Sequence, residues 1–276
     1  MRRWVALAAA SLIAFVPVAA GSAVAQASAP DPVQALKRQL QSRHGVRTSE
    51  TLQVFFGKKS RGADRIVGKV QLSPSGPVAT DFTWRNGPTP KSPAEKSNSY
   101  RVVRVGKKVY YDADLFPGPV PDGKNWILRT RSAGLAVRMA PTASLQPIHP
   151  YELSTLKAVL KRSTRKSASG GSLYRGTMTY AELTKASKGS FHVYGKPTSP
   201  GKISWQLWTD RDGLLKRLLT ADTLGTVVTR IDTRYTDWGF HLVITAPPAD
   251  EVITEDDLWN HTRSQNEPIE TDAGNT

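Results

Sequence analysis

The segment ISWQLWTDRDGLLKRLLT, Ile203 to Thr220, decides the fold class of this chain. Apolar and polar residues alternate on both sides of Asp210-Arg211-Asp212-Gly213, a pattern typical of two half-buried strands joined by a tight turn. The same period of two recurs at Leu52–Phe56, Ile66–Leu72 and Val78–Trp84. The sequence therefore predicts an antiparallel meander in a mainly β protein.

Further strands are predicted where short apolar runs lie between turn residues. They are Tyr100–Val105 and Val109–Asp112 as a hairpin, Asn125–Arg129, Leu173–Tyr180, Phe191–Tyr194, Val227–Tyr235 and Phe240–Thr245.

Two segments instead have helical spacing. Asp31 and Pro32 are typical of a helix start, and Gly45 is the expected stop. A second helix is expected within Pro150–Lys166, ended by Gly170-Gly171. Because a flat sheet of so many strands would leave one apolar face bare, we expect the sheet to curl around these helices.

Residues 1–25 have the features of a signal peptide. Arg2 and Arg3 precede an apolar run, Trp4–Ala20, and Ala23-Val24-Ala25 is a small-x-small cleavage site. The chain contains no cysteine. We therefore expect a secreted, extracytoplasmic protein without disulfides, and no later segment long enough to cross a membrane.

Charge is distributed unevenly along the chain. The formal net charge is +15, yet residues 250–276 contain eight acidic residues and only Arg263 as a basic one. Residues 254–276 have few apolar side chains and are expected to form a disordered acidic tail. The basic body indicates anionic neighbours, such as lipid headgroups or wall polymers, or serves solubility alone.

The order of several motifs resembles the LppX/LprG-type lipoprotein family of actinobacteria, from about Pro32 to Ile253. The motifs are Val109-Tyr110-Tyr111-Asp112, Trp126, Leu173–Tyr180, Trp205–Leu214, Tyr235–Gly239 and Ile244–Pro248. The resemblance implies a LolA-like α+β fold over residues 26–253, in which a highly curved antiparallel half-barrel wraps over two or more helices. It also implies an apolar cavity for acyl chains.

One feature departs from that family. Its members carry a lipobox cysteine that is acylated after cleavage, whereas Ala25-Gln26 or Ala27-Ser28 occupies this place here. The resemblance therefore implies a released protein without a lipid anchor.

No motif predicts catalysis, a metal or a cofactor. The five histidines lie far apart, and Ser154 and Ser163 each begin a Ser-x-x-Lys tetrad that no Lys-Thr-Gly strand follows. Asp210 and Asp212 are more typical of a hairpin turn than of a carboxylate pair. We therefore expect a protein that is not an enzyme.

Aromatic and apolar residues at alternating strand positions are the candidates for lining a cavity, or for packing a solid core. They are Phe56, Phe82, Trp84, Tyr111, Trp126, Tyr180, Trp205 and Leu207. Trp84, Trp126 and Trp205 are expected to face inward and to report a bound ligand. Because these aromatics do not lie among Lys and Arg on one face, nucleic acid is not expected as a partner.

The predicted function is that of a secreted, monomeric binding protein that holds a lipid or acylated ligand, with lipid transport implied by the resemblance. The alternative is an interaction or sensor-associated protein of the cell envelope. In that case the core is packed and a basic face binds an anionic polymer or membrane.

Overall fold

The computed structural model describes residues 30–87, 99–130, 143–187 and 200–266. The predicted signal peptide, the predicted strand Phe191–Tyr194 and residues 267–276 lie outside the described residues. Within these ranges, no helix has both the length and the apolar character that a membrane span needs.

Four helices accompany the strands: α1 (Pro32–Gln39), α2 (Leu153–Lys161), α3 (Tyr180–Ala186) and α4 (Glu255–Asn266). The Asp31 side chain accepts a hydrogen bond from the Val33 N–H at 2.8 Å, which confirms the predicted start of α1. Thr179 and Glu182 form a capping box at the start of α3, a helix that periodicity did not predict.

The described residues also form twelve strands. They are β1 (His44–Phe56), β2 (Lys59–Ser73), β3 (Gly76–Arg85), β4 (Ser99–Val105), β5 (Lys108–Asp112), β6 (Trp126–Leu128), β7 (Thr164–Ala168), β8 (Gly171–Thr179), β9 (Lys202–Thr209), β10 (Leu215–Leu224), β11 (Val227–His241) and β12 (Val252–Thr254).

All twelve strands belong to one curved, open sheet, in the order β12-β6-β5-β4-β3-β2-β1-β11-β10-β9-β8-β7. Neighbours are antiparallel except β12 and β6, which are parallel. β1 and β11 pair at the centre and join two meanders, β1–β6 and β7–β11. This arrangement confirms the predicted mainly β, α+β fold class with a curved antiparallel sheet.

One face of the sheet, which we call the inner face, packs against α1, α2 and α3 and holds the main core. Leu36 from α1, Val159 from α2 and Leu183 from α3 are buried there. The inward positions of the strands alternate with more exposed ones. In β9, the buried residues are Ile203, Trp205, Leu207 and Thr209, and the residues between them are half-buried or exposed. The opposite, outer face carries the polar positions.

Three predicted element boundaries are wrong. The second helix ends at Lys161, and Thr164–Ala168 is strand β7, hairpin-paired with β8 across Gly170. Gly45 is not a helix stop but part of β1. The predicted strands Val227–Tyr235 and Phe240–Thr245 are joined in β11, which ends at His241.

β11 stays continuous because a bulge absorbs its turn-like residues. Asp237 and Gly239 take positive φ values of 53° and 81°, and the register with β1 shifts between Gly45 and Arg47. Pairing then resumes at Gly45 and Phe240. A bulge of this kind inserts extra residues into a strand without ending its ladder.

The predicted disorder of the acidic segment from Glu255 is wrong for residues 255–266. They form α4, whose Leu258 is 1% exposed and packs with Ala113 and Ile127. Thr254 caps the helix by accepting from the Asp257 N–H at 3.1 Å. Burial of Leu258 and the capping hydrogen bonds stabilise this helix, although its polar composition is typical of a disordered tail.

Candidate functional site

An irregular segment, residues 143–151, covers the middle of the inner face. Gln146 is 1% exposed, and its amide nitrogen donates to the Leu218 carbonyl at 2.9 Å and to the Thr233 hydroxyl at 2.8 Å. The Thr220 hydroxyl donates to the Gln146 amide oxygen at 2.7 Å. These hydrogen bonds hold the segment on β10 and β11.

Glu50 of β1 lies beneath the same segment with 1% of its surface exposed. Its carboxylate accepts hydrogen bonds from the Ser144 hydroxyl at 2.7 Å and the Leu145 N–H at 3.1 Å. Burial raises the pKa of Glu50 from its usual 4.5 to about 7, although these bonds oppose the rise. The carboxyl of Glu50 therefore keeps its proton to a higher pH than an exposed glutamate does.

Two tyrosines adjoin Glu50. Tyr151 and Tyr235 pack edge to face, with ring centres 6.3 Å apart, and burial raises the pKa of both well above its usual value. The charge of Glu50 raises these pKa values further. Neither hydroxyl makes a hydrogen bond of good geometry among the described residues, although Thr233 and Ser144 interact with that of Tyr235 and lower its pKa. The centre of the inner face is thus a closed polar layer.

The hairpin that joins β1 to β2 lies at one end of the inner face. A cavity of about 250 Å³ lies there, lined by Leu52, Val54, Phe56, Gly62 and Asp64. We call it the end cavity. Phe56 is 46% exposed although it occupies an inward position. The apolar side chains that line this cavity on the inner face suit an apolar ligand.

The end cavity has a polar boundary at Asp64. Its carboxylate accepts from the Gly87 N–H at 3.3 Å, and burial raises its pKa. The Trp84 indole interacts with this carboxyl and lowers its pKa, though without good hydrogen-bond geometry. The Tyr100 ring stacks on Trp84 at 5.9 Å, and burial together with the charge of Asp64 raises the pKa of Tyr100.

The Trp84 N–H and the Tyr100 hydroxyl are buried without a hydrogen-bond partner among the described residues. Leaving a buried donor unsatisfied costs about 1–3 kcal/mol. The end cavity therefore has an apolar wall and, at Asp64, a polar edge beside which these two buried donors lie.

The eight predicted lining residues occupy four kinds of place. The main core buries Phe82, Trp84, Tyr180, Trp205 and Leu207, and Tyr111 is half-buried at its margin. Phe56 is exposed at the end cavity, and Trp126 lies outside the core.

Several of these residues have defined structural partners. The Trp205 N–H donates to the Ser163 hydroxyl at 2.9 Å, and the Tyr180 hydroxyl donates to Asp222. The Tyr111 hydroxyl donates to Glu255 at 2.9 Å. These bonds attach α2, α3 and α4 to the sheet.

Trp126 does not face inward as expected. In β6 it neighbours Ile127, which is fully buried on the inner side, so Trp126 points to the outer face. There the Arg101 guanidinium lies 5.6 Å from its ring centre. Phe56 and Trp84 are thus the predicted residues that the structure brings to the end cavity or beside it.

Sequence reasoning missed Glu50, Gln146, Asp64 and Tyr100. Glu50 could have been found from the sequence, because it occupies an inward position between Thr48 and Leu52 in a strand whose buried and more exposed residues alternate. No sequence pattern indicated Gln146, because it lies in an irregular segment. In the described ranges, no three His, Cys, Asp or Glu side chains are grouped so that they could hold a metal ion.

No protein-family model matches the chain, and no curated protein matches it. Among solved structures, a LolA superfamily protein from Nitrosomonas europaea is similar with 10% identity and a TM-score of 0.28, over 77% of this chain and 93% of the other. A hypothetical protein from Chlamydia trachomatis is similar with 11% identity and a TM-score of 0.28, over 79% and 98%.

Proposed function

We propose that this protein is a non-enzymatic binding protein that holds an acyl chain, or a ligand of similar apolar character, in the end cavity. The observation that carries the proposal is the cavity of about 250 Å³ on the inner face, whose lining includes Leu52, Val54 and the 46% exposed Phe56. The carboxyl of Asp64 at its edge suits an amphipathic ligand with a polar group next to its chain.

The size of the end cavity limits the ligand. Its volume of about 250 Å³ is slightly below the usual range for small-molecule sites, roughly 300–1,000 Å³. Each CH₂ group transferred from water to this wall contributes about 0.8 kcal/mol. A single medium-length chain therefore fits the proposal better than a multi-acyl lipid enclosed between sheet and helices.

The finer parts of the proposal come from the sequence. The motif order that resembles the LppX/LprG-type family supports a lipid as the ligand and transport as the role. The predicted leader without a lipobox cysteine supports a released, extracytoplasmic monomer.

The test fills the end cavity. In Val54→Trp, the indole occupies the space next to Phe56, so affinity for a fluorescent C10–C12 fatty acid falls at least tenfold. Val228→Trp is the matched control, because Val228 is half-buried at the same end of the sheet and opposes Phe55 on the outer side. Titration of probe fluorescence, with decanoate as competitor, measures both affinities.

Tryptophan emission gives a second readout. An acyl chain that carries a quencher reduces emission in the wild type and in Trp205→Phe, and the effect is smaller in Trp84→Phe. Equal probe binding by Val54→Trp and wild type, or no binding by wild type, contradicts the proposal. The packed-core alternative then stands.

A further inference from the structure

A second cavity lies on the other side of the sheet, over strands β8 to β11. It is a groove of about 560 Å³ whose polar lining includes Arg162, Arg175, Thr177, Ser204, Gln206 and Arg230. Arg175 and Thr177 alternate with the buried Tyr174 and Met178, so both point to the outer face. We call this cavity the arginine groove.

The arginine groove has positive charge that the described residues do not neutralise. None of the described residues that line it is acidic. Arg162 is paired with Glu182, and the nearby Arg217 with Asp232. By contrast, Arg175 and Arg230 form no ion pair among the described residues, and both are exposed.

The scaffold holds these two arginines in place. Arg230 is positioned by the Phe55 ring, whose centre lies 5.5 Å from its guanidinium carbon. Arg175 is on β8, which is hydrogen-bonded on both sides, to β7 and β9. Between them, Ser204 and Ala221 pair across β9 and β10 with small side chains that leave the floor of the groove open.

We propose that the arginine groove binds a phosphate ester, with Arg175 and Arg230 as its charged contacts. Guanidinium groups present planar pairs of N–H donors that match phosphate oxygens, and exposed hydroxyl and amide groups add neutral donors. This inference does not depend on the end cavity, which lies on the inner face.

The width of the arginine groove indicates the size of the ligand. Strands β8 and β11 are three strand spacings apart, about 14 Å. A lone phosphate reaches one wall, whereas a phosphorylated polar group such as glycerol phosphate also reaches the hydroxyl and amide groups of Thr177, Ser204 and Gln206. This group occurs both as a free solute and as the headgroup of an anionic phospholipid.

The experiment compares the full-length protein with Arg175→Gln/Arg230→Gln. The control is Arg65→Gln/Arg85→Gln, which removes the same charge from two exposed arginines that pair on the outer face outside the groove. The probes are glycerol 3-phosphate, by calorimetry, and phosphatidylglycerol or phosphatidylcholine vesicles, by cosedimentation. We expect at least a tenfold loss of affinity in the groove variant and less than threefold in the control.

The arms separate the two sources. Binding of glycerol 3-phosphate that depends on Arg175 and Arg230 identifies a free phosphate ester, and dependent binding of phosphatidylglycerol vesicles alone identifies a lipid headgroup. Equal losses of affinity in both variants, or no binding of any probe, overturns the proposal. Equal binding to the two vesicle types also overturns it when glycerol 3-phosphate does not bind. Unchanged melting temperatures verify that both variants are folded.

Discussion

At the scale of single residues, the most unusual group is Glu50. A carboxyl that is 1% exposed and has no cationic partner among the described residues favours its neutral form, because burial penalises the charge. The Ser144 hydroxyl and the Leu145 N–H supply hydrogen bonds that partly offset this penalty. Glu50 thus links the position of segment 143–151 to pH.

This link predicts a stability that falls with rising pH. The pKa of Glu50 is about 7 in the folded protein and near its usual 4.5 in the unfolded chain. Between these values the folded state binds more protons, so the free energy of unfolding decreases as pH rises from about 4.5 to 7 and is constant above. A shift of this size corresponds to about 3 kcal/mol.

Urea unfolding at pH 5 and pH 8 measures the effect, and Glu50→Gln removes it. Asp64 and Asp222 also have raised pKa values and change stability in the same direction, so the difference between wild type and Glu50→Gln isolates Glu50. Asp114→Asn, at an exposed position, is the control. A Glu50→Gln variant that keeps the full wild-type pH dependence would falsify the assignment.

At the scale of elements, α4 shows how little apolar surface is needed to order a polar segment. Leu258 fills a small cluster with Ala113 and Ile127, and Glu255 accepts hydrogen bonds from Tyr111 and from the Thr130 N–H. These contacts place the acidic helix at the β5–β6 edge of the inner face. It therefore does not cover the arginine groove.

The cluster predicts a large effect of one substitution. Leu258→Ala leaves a cavity between α4 and the sheet and lowers the free energy of unfolding by about 2–5 kcal/mol. Gln265→Ala, at an exposed position of the same helix, changes it by less than about 0.5 kcal/mol. Chemical denaturation measures both, and a loss below 1 kcal/mol in Leu258→Ala would contradict docking of α4.

At the scale of the whole molecule, the central pair of strands joins opposite ends of the chain. β1 begins at His44 and β11 ends at His241, and these two residues are partners. Neither meander has a complete core without the other, because residues of both contribute to one buried cluster. The sheet is therefore expected to fold as one cooperative unit.

Cooperative folding predicts coincident unfolding transitions. Tryptophan emission and far-ultraviolet circular dichroism give the same denaturant midpoint, although Trp84 and Trp205 lie in different meanders. Refolding is slow, in the millisecond-to-second range, since the central contacts are far apart in sequence. Two separated midpoints would show that the meanders unfold independently.

The amino-acid sequence is sufficient to predict the elements that depend on local interactions. The alternation around Ile203–Thr220, the turn at Asp210–Gly213 and the Asp31 cap predict β9, β10 and the start of α1, because each involves residues only a few positions apart. The mainly β class follows from the same repeated pattern. Phe56 and Trp84 could be found as site candidates from their inward positions alone.

Other features depend on partners that are distant in sequence, so only the tertiary structure reveals them. Strand β7 replaces the end of a predicted helix because β8 offers a free edge, and β11 passes its bulge because β1 continues the ladder. The side chain of Gln146 is held by hydrogen bonds to strand residues more than 70 positions away in sequence. The arginine groove exists because strands far apart in sequence bring Arg175 and Arg230 to the same face of the sheet, an arrangement that no local pattern encodes.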